Sequence, residues 1–190
     1  MKNPLNKILI ALCAVLIAFA GAKVYAESKN TTGTTESVLV FPPLPEGRQV
    51  TAVDATSDVA GSKVTVRSRT AATVAYNIDG AGATSQAVIP LAATTGLASN
   101  DFCVISGKTF APYRVRLITV TSSNVTADAN LTSAVASGDR VHELTTTYTI
   151  AVGSNTVNRT GTPLADTPKD SPIVLQLNST AASELSATVK

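Results

Sequence analysis

The chain has 190 residues, and Ala, Thr, Val and Ser together supply about half of them. Hydrophobic residues make up 44%, charged residues 15% and aromatic residues only 4%, with one histidine and no tryptophan. These values disfavour a disordered chain, a coiled coil and an enzyme that depends on several histidines. Val and Thr pack well on a pleated sheet but lose rotamer freedom in a helix, so the composition favours β-structure.

Residues 1–26 have the pattern of an export signal. Two lysines precede the apolar run 8–20, and residues 24–26 (VYA) or 18–20 (AFA) supply a cleavage site. A retained membrane anchor is the alternative, but the apolar run is shorter than the roughly 20 residues that span a bilayer. We therefore predict a cleaved signal peptide and an extracellular or cell-surface location, with membrane contact only during export.

Loss of that segment changes the charge of the chain. Three of the 15 basic residues leave with it, so 12 remain against 13 acidic residues, a formal net charge of −1. A nearly neutral chain with scattered charges excludes nucleic acid as a partner. Cys103 is then the only cysteine, so no disulfide forms within the chain, and its apolar neighbours predict a buried core residue.

The first elements after the signal are short. Residues 27–36 are polar, Thr-rich and without periodicity, which predicts a flexible N-terminal arm. Residues 37–41 form an apolar strand that ends at Pro42 and Pro43. Apolar residues then alternate with polar ones around residues 50–53 and from 63 to 78, which predicts further strands.

Residues 84–143 form a unit of their own in the sequence. A strand ends in Pro90-Leu91, TTGL follows with Asp101 shortly after it, and LTSAVASGD begins at Leu131. This order of motifs resembles a small β module that recurs in virion and bacterial surface structural proteins. The resemblance implies a compact β-barrel-like fold in a structural setting and no catalytic residue, and Asn100 stands where such modules usually have Gly.

The remaining chain returns to alternation in residues 144–152, and two more strands are predicted at 173–177 and 184–189. Between them, the prolines of residues 160–172 favour a loop or a sheet edge. We predict an all-β fold: an antiparallel β-sandwich (jelly-roll-like) from residues 37–83 and 144–190, with the 84–143 module inserted or appended. A tandem of two small domains is the alternative.

The sequence holds no recognisable catalytic set. His142 is the only imidazole, so a histidine triad or a multi-histidine zinc site is hard to build, and a position at the surface or on an edge strand is expected. Residues 106–109 (SGKT) end like a phosphate-binding loop, but Phe102 stands where that motif needs Gly. We predict no catalytic residue and no cofactor.

Two pairs of carboxylates are spaced four residues apart: Asp54 with Asp58, and Asp166 with Asp170. Such pairs could contribute to a calcium site, but turn residues that bond their own backbone explain them better. We therefore predict no metal. A hydrolase with paired carboxylates brought together by folding stays open as an alternative.

Glycosylation is predicted only if the host modifies Asn, because five Asn-x-Ser/Thr acceptor motifs occur in a Thr-rich chain. They begin at Asn30, Asn124, Asn130, Asn158 and Asn178.

The strand after the arm supplies the candidate assembly residues, Val38, Leu39, Val40 and Phe41. An extended segment isolated by prolines could add to an open sheet edge of a neighbouring copy, since strand addition supplies backbone hydrogen bonds and alternate side chains fill pockets. The alternative is that this strand pairs within its own domain.

These observations predict a non-enzymatic, exported structural subunit whose partners are copies of itself, in an extracellular filament, coat or surface appendage. One alternative is a monomeric secreted adhesin or carbohydrate-binding module, which predicts an aromatic patch that includes Tyr76, Tyr113 or Tyr148. The secreted hydrolase is the other.

Overall fold

A computed structural model of the chain describes residues 27–31, 36–44, 50–70, 73–151, 158–159, 167–179, 181 and 184–190. In these residues the regular secondary structure is entirely β and every strand pair is antiparallel. The predicted signal peptide lies outside the described residues. Within the described part, no helix is long and apolar enough to cross a membrane. The strands are β1 (Glu27–Thr31), β2 (Glu36–Phe41), β3 (Val53–Ser57), β4 (Lys63–Ser68), β5 (Ala75–Asn77), β6 (Val88–Pro90), β7 (Phe102–Ser106), β8 (Tyr113–Val120), β9 (Asn124–Ala127), β10 (Arg140–Glu143), β11 (Thr145–Ala151), β12 (Asn158–Arg159), β13 (Ile173–Asn178) and β14 (Leu185–Val189).

Two four-stranded sheets form a sandwich. Sheet 1 has the strand order β1-β14-β3-β12, and sheet 2 has the order β11-β4-β13-β2. In β4, Val64 and Val66 are fully buried while Lys63 is exposed, as the alternation predicted. Aliphatic side chains of both sheets meet in one core, in which Phe41, Leu175 and Leu185 are among the largest fully buried residues.

A third sheet of six strands, the barrel unit, has the order β5-β10-β7-β8-β9-β6. It curls so that its two ends meet at a bridge between Ile78 and Leu91, and it encloses a second core. Its strands all lie between β4 and β11 in the sequence, so the barrel unit is inserted between two strands of the sandwich. The first of its strands begins at Ala75.

The predicted fold class is therefore confirmed: the chain is an all-β antiparallel sandwich with a barrel-like module. The structure differs from the sequence prediction in the arm, because Glu27–Thr31 is strand β1 and pairs with β14 along all five residues. An edge strand is held by backbone hydrogen bonds on one side only, and it needs no apolar alternation that a sequence reading would detect.

Two turns of the barrel unit, at residues 98–101 and 136–139, have the same construction. In each, the carboxylate of the last residue accepts a hydrogen bond from the backbone N–H of the first, at 2.6 and 2.9 Å respectively. The third residue has a positive φ, 73° at Asn100 and 95° at Gly138. Asn100 thus adopts the left-handed conformation that favours glycine, at the position where the resembling modules usually have it.

Candidate assembly surface

Strands β1 (Glu27–Thr31) and β2 (Glu36–Phe41) lie at the same side of the sandwich, and we call residues 27–41 the N-terminal segment. Strand β1 is the edge of sheet 1 and pairs with β14, and β2 is the edge of sheet 2 and pairs with β13 along all six of its residues. In this single chain β2 therefore pairs within its own sandwich. Removal of the segment would uncover β14 and β13 together, one edge in each sheet.

The candidate residues Val38, Leu39, Val40 and Phe41 point alternately to two different surfaces. Leu39 and Phe41 are 7% and 0% exposed and belong to the sandwich core. Val38 and Val40 are half-buried on the opposite face, where they pack against an apolar cluster that contains Val174 of the sandwich as well as Phe102 and Val104 of the barrel unit. Both faces of β2 are thus in apolar contact, although β2 lies at the edge of its sheet.

The chain leaves β2 through Pro42 and Pro43, which have no backbone N–H and end the strand as the sequence predicted. The next residue, Leu44, is 4% exposed and returns to the sandwich core. Leu39, Phe41 and Leu44 are therefore three apolar anchors that fasten one short segment to the core.

An apolar cluster that we call the joint connects the sandwich to the barrel unit. Strand β7 is buried on both faces, because Cys103 and Ile105 point into the barrel core while Phe102 and Val104 point towards the sandwich. Strand β13 is buried on both faces in the same way, and its Val174 faces the barrel unit. The joint consists of Phe102, Val104, Leu144 and Val174, with Val38 and Val40 packed against them.

Cationic side chains surround the aromatic ring of the joint. The guanidinium of Arg67 lies 4.7 Å from the centroid of the Phe102 ring, and that of Arg114 lies 6.0 Å from it. Arg67 also donates a hydrogen bond from Nε to Gln176 Oε1 at 3.3 Å, and burial, followed by the charge of Arg116, lowers its pKa. A cation over an aromatic ring stabilises such a contact by about 0.5–2 kcal/mol.

His142 lies at the boundary between the two units, and the predicted surface or edge-strand position is wrong. It is 2% exposed on β10, an interior strand between β5 and β7, and its Nε2 lies 2.8 Å from Ser106 Oγ. Its Nδ1 has no hydrogen-bond partner in the described part of the chain. Burial and the charge of Arg69 lower the pKa of His142 to about 4; Asp170 opposes this and Arg140 adds to it.

Asp170 connects cations from both units. It forms an ion pair with Arg69 at 2.8 Å and lies 3.8 Å from Arg140 of the barrel unit, and Arg69 also donates to the carbonyl of Thr73 at 2.8 Å. Burial raises the pKa of Asp170, but the hydrogen bond and the charge of Arg69, a backbone hydrogen bond and the nearby His142 together lower it below its ordinary value. The carboxylate bonds Arg69, and among the described residues Nδ1 of His142 has no hydrogen-bond partner.

Of the two carboxylate pairs spaced four residues apart, only Asp54 and Asp58 are both described, and they have separate partners. Asp54 forms an ion pair with Lys190, and Asp58 accepts a hydrogen bond from the backbone N–H of Glu184 at 2.8 Å. Asp166 lies outside the described residues. Among the residues that the structure describes, no group of three or more His, Cys, Asp or Glu side chains could hold a metal ion.

An aromatic patch for carbohydrate binding was expected to include Tyr76, Tyr113 or Tyr148. The two of these whose side chains are described form hydrogen bonds within the chain. Tyr76 is 7% exposed and donates to the carbonyl of Thr95, and the half-buried Tyr113 donates to that of Ser133, both at 3.0 Å. The side chain of Tyr148 lies outside the described part. A small cleft of about 230 Å³ on the outer face of sheet 1 is lined by Asp54, Ala55, Thr56, Ser186, Ala187 and Thr188.

Among the acceptor motifs, Asn130 and Asn178 have exposed side chains, and Asn124 is half-buried as the first residue of β9. For Asn30 and Asn158 the structure describes only the backbone, in β1 and β12. Their modification stays a prediction.

Sequence reasoning missed the joint, although a signal for it was present. Residues 102–105 are a continuous apolar run, and residues 173–177 are apolar except for Gln176; runs without alternation are the pattern of strands buried on both faces. Comparison of the chain with protein-family models and with curated proteins finds no match in either set.

Proposed function

We propose that this protein is an exported, non-enzymatic structural subunit. Copies of it assemble into an extracellular filament, coat or surface appendage by exchange of the N-terminal segment, so that β1 and β2 of one copy complete the sheets of the next. Exchange replaces the contacts within a chain by the same contacts between chains. A dimer or polymer therefore forms without a second, different interface.

The observation that carries this proposal is the position of the N-terminal segment. It follows directly after the predicted cleavage site, supplies an edge to both sheets, and is anchored by Leu39 and Phe41. Full burial of each such side chain contributes about 1.5–3 kcal/mol, and ladder hydrogen bonds add to this. After the predicted cleavage, this segment is attached to the rest of the chain only at its C-terminal end. A terminal segment that binds this firmly can leave its own sandwich and bind to that of another copy.

Composition supports the same function. Half of the residues are Ala, Thr, Val and Ser, and the predicted mature chain is almost neutral, so subunits do not repel one another strongly. Without a disulfide in the described residues, association is a natural further source of stability.

A disulfide lock tests exchange in the full mature chain. Glu36 and Asn178 are partners in the antiparallel ladder, where Cα atoms are about 4.5–5.5 Å apart, within the range that a disulfide spans. We expect residues 27–190 to form polymers or rings in size-exclusion chromatography and negative-stain microscopy. Glu36→Cys/Asn178→Cys oxidised as a monomer in mild denaturant and then returned to buffer should stay monomeric, and should assemble after reduction.

The single variant Glu36→Cys is the matched control, because it carries a new thiol but cannot close the lock. It should assemble under oxidising and reducing conditions alike. A wild-type chain that stays monomeric at high concentration would contradict self-assembly. A locked chain that assembles like the wild type would contradict strand exchange.

A further inference from the structure

The face of β2 that points away from the sandwich core is an unusual feature of an edge strand. Val38 and Val40 lie on that face, and both are half-buried by packing against the joint. A strand needed only to complete sheet 2 would require Leu39 and Phe41 for its core and could carry polar residues on the other face. The second apolar face therefore has a role that the sandwich alone does not explain.

Within the described residues, the joint, with Arg67 over the Phe102 ring, is accompanied by two chain crossings and a polar connection between the barrel unit and the sandwich. The described chain crosses between them twice, after Ser68 and at Leu144, the single residue between β10 and β11. The polar connection through Asp170 is half-exposed, and its distance to Arg140 is 3.8 Å, so it holds the units only weakly. Apolar packing in the joint is the main restraint, and β2 supplies two of its side chains.

We infer that a donated β2 is recognised by a composite groove, built by the sandwich and the barrel unit of the acceptor together, and that its binding fixes the barrel unit on the sandwich. The partner is residues 36–41 of a second copy of this chain. One wall of the groove is the sandwich core that takes Leu39 and Phe41, and the other is the joint, with Phe102, that takes Val38 and Val40. This inference rests on the proposed function and specifies what its acceptor site contains.

Two consequences follow for the assembly. A copy that has donated its segment and received none has a barrel unit that is free to reorient, so the terminal subunit of a polymer differs from the interior ones. Recognition also disfavours strands that match only the core pattern, because a polar residue at either valine position would place a polar group against the apolar joint.

The test uses the full mature chain with Val38→Thr/Val40→Thr, since Thr keeps the shape and the strand preference of Val. Val74→Thr/Val88→Thr is the matched control, because these two valines are 59% and 45% exposed in the barrel unit. We expect the β2 variant to raise the critical concentration for assembly at least tenfold, while the control leaves it unchanged. The single variant Val38→Thr, with an intermediate effect, replaces the double variant if the latter does not fold.

A second measurement on monomers separates this inference from the proposed function. In methyl-labelled chains at a concentration below assembly, cross-peaks between the methyls of Val104 and Val174 report on the joint. The β2 variant should lose them while amide protection in β13 is retained, and the control should keep both. If the β2 variant assembles at the wild-type concentration and keeps the Val104–Val174 cross-peaks, the inference is overturned. If the wild type never assembles, the proposed function fails, and the cross-peaks still decide whether β2 fixes the barrel unit.

Discussion

Acidification should weaken the fold through one residue, His142, the only imidazole in the chain. Its pKa is lowered from an ordinary 6.5 to about 4, because the buried ring loses hydration and lies near Arg69. The unfolded chain therefore binds a proton more readily than the folded chain, and the contribution of the neutral ring is fully present above pH 6.5 and is lost as the pH falls through 6.5 towards 4. A difference of about 2.5 between the two pKa values corresponds to about 3 kcal/mol of unfolding free energy.

Urea unfolding at pH 7 and pH 4.5 measures this loss, with His142→Gln as the comparison. The Gln side chain can keep a hydrogen bond to Ser106 but does not titrate, and of the carboxylates only Asp170, whose pKa His142 helps to lower, has a cause of its shift removed. We expect the wild type to lose about 2–3 kcal/mol more than His142→Gln between the two pH values. Equal losses in the two proteins would refute the assignment of a buried neutral ring to His142.

Four further substitutions and one labelling experiment test local features of the fold. Asn100→Ala should lower the unfolding free energy by about 1 kcal/mol because of its positive φ, whereas Asn100→Gly should not lower it, and Gly138→Ala should cost a similar amount. Phe41→Ala should lower it by about 3–5 kcal/mol, since the ring is 0% exposed in the sandwich core. The Cys103 thiol is buried, which raises its pKa, so it should react with a thiol reagent only after unfolding; rapid labelling of the native chain would contradict its position.

The strands of this fold were predictable where one face of a sheet is wet. In β4 the alternation of Val64 and Val66 with polar neighbours identified both the strand and its buried face. The predicted alternation of residues 63–78 is wrong at Val74. It places Val74 on the same face of a strand as Tyr76, but Val74 precedes β5 and is 59% exposed. Strand β1 carries no apolar pattern, because backbone pairing with β14 holds it.

The boundary between the two units was not predictable, because its contacts join distant parts of the chain. Arg69 and Asp170 are separated by 101 residues, and no local pattern indicates that they meet. The burial of His142 depends on which strands flank β10, and a sequence does not specify strand order. Val38 and Val40 were correctly recognised as apolar strand residues, but the surface that they contact belongs to a unit that begins more than thirty residues later.

The central claim is that β2 of one copy pairs with β13 of another. Two populations of the mature chain test it most directly, one carrying only Glu36→Cys and the other only Asn178→Cys, mixed as monomers and allowed to assemble under mild oxidation. Because these positions are ladder partners, exchange predicts a disulfide-linked dimer that contains one Glu36→Cys chain and one Asn178→Cys chain. Neither population should form a disulfide across this ladder when it assembles alone. Polymers that form from the mixture without any mixed disulfide would contradict the claim, since each β2 would then have stayed on its own β13.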